Sequence, residues 1–509
     1  MHITLSNSLL NVTISHLSLR NLIKLTQVSS RFFQAVGAVT QQTTGISLVE
    51  NRNFSSLSLA KSMFSNISEY EILFDQLNSD LIQLLLSSSP YERQVNIHVT
   101  GALTNIDEAI TLLLNMSSGD RSRLLLYFPV NSDHFVSVRS LLNFKELPFG
   151  QIHVSTHSNQ VSSLVKLLAS SKRLSTVRIS PAGHFLRESA ISLVHSISQM
   201  KHIKHVVLHP YLLKHLPSAM VTSLSSWNVA LSLVGISPIP LDRFSKLSPL
   251  FSKITKLNIA PFNVSLLQYT PKLMKLEVNR VAIDTSQDEY ELFKTLTNLV
   301  DLTVSYTQSS VLLNILSRLA DSRCLETVSI QGLLSASNVD LISAIDLLPS
   351  SLQSLTLSNF KIPRNSLSRS NFKKFKYTLK NLSIKGQHYV DDLKPIFFLK
   401  KLSSLFLSNS VGQVNITDDF SEDVISNLSL WPGEFKLSVV NCSKESLSLI
   451  YLLMPRISNL SRFVLIGESF SNQFLDYLKH HLGKFAIQKL KIRSMVNEYD
   501  EVNLVFDLN

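Results

Sequence analysis

One short spacing, apolar-x-x-apolar-x-apolar, recurs along most of this chain and limits what it can fold into. It occurs at Leu174, Val177 and Ile179, at Ile203, Val206 and Leu208, at Ile254, Leu257 and Ile259, and at Leu273, Leu276 and Val278. It continues at Leu299, Leu302 and Val304, at Leu325, Val328 and Ile330, at Leu352, Leu355 and Leu357, at Leu379, Leu382 and Ile384, and at Leu402, Leu405 and Leu407. Later copies are Leu460, Phe463, Leu465 and Ile487, Leu490, Ile492. From Leu299 the successive starts lie 26, 27, 27 and 23 residues apart. Weaker copies are Val95 with Ile97, Leu124 with Leu126, Ile152 with Val154, Leu231 with Leu233, and Leu437 with Val439. A unit of this length cannot bury its apolar face alone and must stack on its neighbours.

The last two apolar positions of each unit are two apart, which places both on one face of a strand. Helix-like segments lie between. Asn338 is positioned to cap a helix with the apolar stripe Leu341, Ile342, Ile345 and Leu348, ended by Pro349. Asp107 precedes Ile110, Leu113 and Leu114, and Gly119 is placed to close that helix. Strand, turn, helix and return within about 26 residues make consecutive strands parallel neighbours.

This pattern resembles the longer, helix-bearing leucine-rich repeats, from about residue 90 to the end and more degenerately before it. The resemblance implies an α/β leucine-rich-repeat solenoid, a curved parallel sheet with helices on its convex side. The chain departs from that family at the position three after the last strand leucine, where Asn or Cys is usual. That position is Cys442 once, but Phe360, Ser410, Thr307 or Tyr211 elsewhere. An irregular solenoid without a regular asparagine ladder is expected, held by buried leucines worth about 1.5–3 kcal/mol each.

Composition agrees with a packed repeat chain. Hydrophobic residues are 44% of the 509 and charged residues 17%, so a large core can form and the chain is not disordered as a whole. Only 13 glycines and 16 prolines argue against long linkers. Cys324 and Cys442 cannot build a disulfide framework. No eighteen-residue apolar run occurs, and the first thirty residues, with Arg20 and Lys24, do not read as a signal peptide. The expectation is a cytoplasmic or nuclear protein with no membrane contact.

Residues 1–42 differ from the rest. Leu10, Ile14 and Leu17 form one helical stripe, and Leu22, Leu25 and Val28 another, with Ser6 and Asn21 as candidate caps. Helices this short cannot bury their own apolar face and must lean on the first repeat, on a partner, or on both. From Leu5 through Leu9-Leu10 and Leu22-x-x-Leu25 to the closing Val28-Ser29-Ser30-Arg31-Phe32, the segment resembles an F-box. Ser6 stands where that family usually has proline, Thr13 where it is usually apolar, and Asn7-Ser8 where acids are common. The resemblance implies docking onto a Skp-type adaptor of a cullin–RING ubiquitin ligase. Leu5, Leu9, Leu10, Ile14, Leu17, Leu22, Leu25 and Val28 would then divide between that interface and the segment's own core. Residues 43–509 would form the solenoid that presents a protein substrate. The alternative is a helical cap on a free-standing repeat scaffold with no ligase link.

Chemistry is not legible in the chain. There is no glycine-rich phosphate loop, no Cys-x-x-Cys, no His-Glu-x-x-His and no Gly-x-Ser-x-Gly, so no catalytic, cofactor-binding or metal-binding residue is assigned. A histidine cluster, His195, His202, His205, His209 and His215, has no Cys, Asp or Glu positioned to complete a metal site. Register places His205 and His209 on the concave face as partner contacts. The same register gives the middle repeats a concave lining of small polar residues, with Asp301, Lys385 and Phe406 as the distinctive contacts. The last repeat places Lys489, Lys491 and Arg493 on that face. Net charge is +11 and the isoelectric point about 9.4, which favours acidic partners. The basic residues are densest from Arg364 to Lys401. Their bland reading is a solvated surface, and nucleic acid ranks last among the partners considered. Salt dependence would separate it, because phosphate contacts make affinity fall steeply with ionic strength.

Overall fold

A computed structural model describes residues 69–411 apart from short connecting stretches, and beyond them five strands: Gly45–Ser47, Phe435–Val440, Leu460–Gly467, Lys491–Val496 and Val502–Asp507. The F-box-like segment lies outside the described residues. By contacts the chain forms two compact units, Met1–Ser232 with Ile239–Leu250, and Leu233–Pro238 with Phe251–Asn509.

In the first unit the strands are β1 (Gly45–Ser47), β2 (Glu69–Leu73), β3 (Val95–Thr100), β4 (Leu124–Tyr127), β5 (Val136–Ser137), β6 (Phe149–Thr156), β7 (Thr176–Pro181) and β8 (His205–Leu208). All their pairings are parallel: β1 with β2, β2 with β3, β3 with β4, β4 and β5 with β6, β6 with β7, and β7 with β8. Repeat positions fall opposite one another, Ile97 against Leu126, Ile152 against Val177, and Val177 against Val206, and all are buried. Helix Val161–Ser170 buries Val161, Leu164, Leu167 and Leu168, and helix Arg187–Ser198 buries Ala190, Leu193, Val194 and Ile197. These are one-sided stripes at helical spacing, so each helix covers the apolar side of the strands it connects. Parallel pairing starts before residue 90, where Tyr70 and Ile72 already alternate into the core. β9 (Ala230–Ile236) spans the division between the units.

The second unit contains β10 (Ile254–Ala260), β11 (Lys275–Val278), β12 (Asp301–Ser305), β13 (Thr327–Gln331), β14 (Ser354–Lys361), β15 (Asn381–Tyr389), β16 (Ser404–Val411), β17 (Phe435–Val440), β18 (Leu460–Gly467), β19 (Lys491–Val496) and β20 (Val502–Asp507). From β10 to β18 each strand pairs in parallel with the next. Leu302, Val328, Leu355, Leu382, Leu405 and Leu437 form one cross-strand row, and the first five are buried. Helix Ser309–Leu319 turns Leu312, Ile315, Leu316 and Leu319 into the core. Elsewhere the return is a 3-10 segment, as at Val264–Tyr269, Asp288–Thr295 and Phe372–Phe375. Such a segment rises about 2.0 Å per residue, so it spans a given distance with fewer residues than an α-helix. After Ser358 the register shifts at Asn359, which takes a left-handed φ of 60°. Asparagine tolerates that conformation better than most residues.

Three sequence expectations are corrected. The last repeat is not a parallel neighbour of the one before it: β20 runs antiparallel between β18 and β19. Asp340, not Asn338, caps helix Leu341–Leu347, its Oδ1 accepting the Ser343 N–H at 3.0 Å. Asn338 lies outside the described residues. Gly119 does not end helix Ile106–Asn115, because it sits inside a second helix, Ser118–Arg123, capped by Ser117.

In place of an asparagine ladder, the residue just before the first apolar position of several repeats reaches back to a backbone carbonyl earlier in the array. Arg173 donates to Ser122 O at 2.6 Å and Leu124 O at 2.9 Å, and a His202 ring nitrogen lies 3.1 Å from Leu168 O. Asn298 donates to Pro271 O at 3.1 Å, Ser351 to Leu325 O at 3.1 Å, and Thr378 to Ser350 O at 2.8 Å. Beside these bonds, paired backbone donors share one carbonyl, as Gln353 N and Ser354 N do on Glu326 O. Five residue types therefore serve one position, because each needs only a donor within reach of a backbone carbonyl.

Candidate functional site

Along each strand the residues between the apolar ones lie on the other face of the sheet. In the second unit that face carries rows in register. One runs Lys275, Asp301, Thr327, Ser354, Asn381 and Ser404, and the next runs Glu277, Thr303, Ser329, Thr356, Ser383 and Phe406. Lys275 Nζ stands 3.4 Å from Asp301 Oδ2, with the lysine side chain 57% exposed, so the pair adds little stability. Asn258 Nδ2 donates to Glu277 Oε2 at 2.6 Å, and Asn279 Nδ2 to Asn258 Oδ1 at 3.1 Å. Ser305 Oγ donates to Gln331 Oε1 at 3.0 Å. The expected contacts Lys385 and Phe406 are brought together, the lysine Nζ lying 5.3 Å from the ring centroid. Such a cation–π contact holds an exposed charge beside an apolar plate. Ser383, in register with Phe406, has its hydroxyl buried without a hydrogen-bond partner among the described residues.

The same face of the first unit has a different chemistry. His98 stacks on Tyr127 with centroids 4.4 Å apart and planes 12° from parallel. Gly150 makes room for that tyrosine, since a Cβ there would overlap the Tyr127 ring. His153, 4% exposed, has Nε2 at 2.9 Å from Ser180 Oγ and meets the edge of the half-exposed Phe135 ring at 5.8 Å. Arg178 stands opposite His153 in register, and Thr176 opposite His205. The sequence reading passed over this cluster. Its signal was available, because His98, Tyr127, His153 and Arg178 all occupy the alternate position between core residues.

The five histidines do not converge. His205 keeps to the strand face, its Nε2 at 2.8 Å from Ser232 Oγ. His209 leaves the strand, which ends at Leu208, and becomes the N-cap of helix Pro210–Lys214, its Nδ1 accepting the Tyr211 N–H at 3.3 Å. His195 lies in helix Arg187–Ser198, beside a groove of about 510 Å³ that includes Met200 and Trp227. His215 ends the capped helix and meets Tyr211 edge-on at 4.8 Å. Among the described residues no group of three metal-ligating side chains occurs. Burial, reinforced by Arg178, pushes the His209 pKa below its ordinary 6.5. Burial lowers His202 as well, with Lys172 adding and the Leu168 carbonyl opposing. His215 is lowered by burial and then by Lys214, Arg187 and Arg243, against Glu188.

The remaining expected contacts are placed in part. Lys491 and Arg493 lie on β19, in register with Asp507 and Val505 of β20. Lys489 and the adaptor-binding set Leu5, Leu9, Leu10, Ile14, Leu17, Leu22, Leu25 and Val28 lie outside the described residues.

No protein-family model matches the chain, and no curated protein sequence does. Among solved structures, an internalin from Listeria monocytogenes is similar at a TM-score of 0.32 and 16% identity, covering 73% of this chain and 96% of its own. The yeast Rad7 and Elc1 complex gives 0.34 and 13%, covering 90% and 92%. The leucine-rich-repeat protein LegL7 from Legionella pneumophila gives 0.28 and 14%, covering 77% and 98%. Likenesses at these scores carry no weight, and the fold is assigned from the strands themselves. Parallel strands in register, joined by helical returns and repeating every 23 to 27 residues from Asp301 to Ser404, are a leucine-rich-repeat solenoid.

Proposed function

We propose that this chain is a non-enzymatic substrate-recognition subunit, in which an F-box-like segment at residues 1–42 docks on a Skp-type adaptor of a cullin–RING ubiquitin ligase and the repeats hold the protein to be modified. The observation that supports the recognition half is the register that β11 to β16 share ahead of the shifts after Ser358 and Lys385. It sets side chains of six repeats in rows, about 4.8 Å from one strand to the next, on a face that covers no core, which is where solenoids bind partners. The ligase half rests on the resemblance of residues 5–32, with Val28-Ser29-Ser30-Arg31-Phe32 as its most specific part.

Co-expression with a Skp-type adaptor tests the reading. A stoichiometric complex is expected with the full chain, and its loss in a version lacking residues 1–42 whose repeats still melt cooperatively. A folded full chain that forms no complex would remove the ligase link and leave a repeat scaffold closed by a helical cap.

A further inference from the structure

We propose that the turns leading into β15 and β16 form an electrostatic docking surface for an acidic polypeptide segment. Between Arg364 and Lys401 the sequence holds ten lysines and arginines against two aspartates, Asp391 and Asp392. The fold gathers part of this charge around one exposed ring. Tyr377 is 62% exposed, and Lys376 Nζ and Lys400 Nζ lie 5.3 and 5.7 Å from its centroid. The two lysines come from successive repeats, whose turns are joined by a bond from Lys400 N to Lys376 O at 2.8 Å. Lys373 Nζ lies 5.2 Å from the Phe398 ring, and Lys374 Nζ donates to Asp346 O at 2.8 Å. Among the described residues Lys373, Lys376 and Lys400 form no ion pair. Like charges gathered on one surface repel, and an anion laid across them relieves that repulsion.

The geometry favours carboxylates over nucleic acid. Tyr377, the exposed ring of the cluster, carries ammonium groups near its centroid and is not a free platform for a base. The charges gathered on the rings are lysine point charges, without the arginine forks that grip phosphate in two-point fashion. An extended acidic segment, with side chains on one face every second residue, can span two adjacent turns.

The proposal rests on the reading of the chain as protein-binding. Its test is the affinity of the full chain for a fluorescent octaglutamate peptide, by anisotropy at about 50 mM salt, where screening is weak. The reversal K373E/K376E/K400E is compared with K201E/K204E/K272E, which changes net charge equally at exposed lysines elsewhere. Expected is a loss of about tenfold or more in the first and little change in the second, with equal melting temperatures. Tyr377→Ala, at an exposed position, is expected to weaken the peptide severalfold by releasing the ammonium groups it gathers. Should the triple reversal unfold, K373Q/K376Q/K400Q carries the same expectation. Equal losses in both triple variants, or none in either, overturn the proposal. So does tighter binding of a single-stranded oligonucleotide or of phosphatidylserine vesicles than of the peptide, lost in the same variant. The adaptor complex is scored separately, so either result can fail without the other.

Discussion

His209 shows how one residue ties a strand end to the titration of the fold. The Tyr211 amide in the first turn of helix Pro210–Lys214 is capped by the lone pair of His209 Nδ1, and burial beside Arg178 favours the neutral ring. Its pKa in the folded chain is therefore below the ordinary 6.5 it takes when unfolded. Protons then bind the unfolded chain first, so the stability the neutral ring supports is full above pH 6.5 and is lost as pH falls through the depressed value. Asparagine caps helices well and does not titrate. His209→Asn is expected to keep the stability near pH 7.5 and to flatten its decline toward pH 5.5, read as urea midpoints at the two pH values. A decline as steep as in the parent would assign the acid sensitivity to other groups. His209 also shows why the candidate site was only partly legible. Alternation alone extends the strand face through His209, whereas Pro210 has no N–H to donate and fits the first turn of a helix. Lys385 and Phe406 obeyed alternation and met. The His98–Tyr127 stack was missed because pairing across strands depends on register and on the gap left by Gly150, neither of which a single strand reveals.

The strands were the most readable elements, because Leu302, Val304 and their counterparts announce a buried face twice per repeat. The returns were less readable. A 3-10 segment such as Val264–Tyr269 and a helix such as Ser309–Leu319 serve the same purpose from different sequences. Caps were located only to within two residues, since Asn338 and Asp340 are both competent by type. The bond from Ser343 N to Asp340 identifies the cap, and hydrogen bonds from Ser343 hold the Asp340 pKa below its usual range. Asp340→Ala is expected to cost about 0.5–2 kcal/mol. Chemical denaturation of the second unit's transition measures it, and a change under a few tenths would mean that the helix is held by Leu341, Ala344 and Ile345 alone.

At the scale of the molecule, stability in a repeat array is a sum of repeat terms and nearest-neighbour interfaces. Leu355, fully buried on β14, faces Val328 and Leu382 in register. Leu355→Ala is expected to destabilise by about 2–5 kcal/mol. Hydrogen exchange should accelerate in β13, β14 and β15 and stay unchanged in β10 and β11. Uniform acceleration across the second unit would show that it opens as one block. Neither the division into units nor the direction of the last strand was visible in the sequence. The apolar spacing of Ile487, Leu490 and Ile492 is the same whether the neighbouring strand runs parallel or antiparallel.

That reversed strand decides where the array can lengthen. A parallel edge offers the same hydrogen-bonding pattern to every newcomer, so a duplicated repeat inserted between β12 and β16 meets neighbours of the kind it left. Past β18 this no longer holds. β20 is paired antiparallel on both sides, so a copy inserted between β18 and β20 would meet one neighbour whose hydrogen-bonding pattern is not the one it left. Tandem duplication can therefore extend the array among its parallel strands, and not at the junction of β18 with β20.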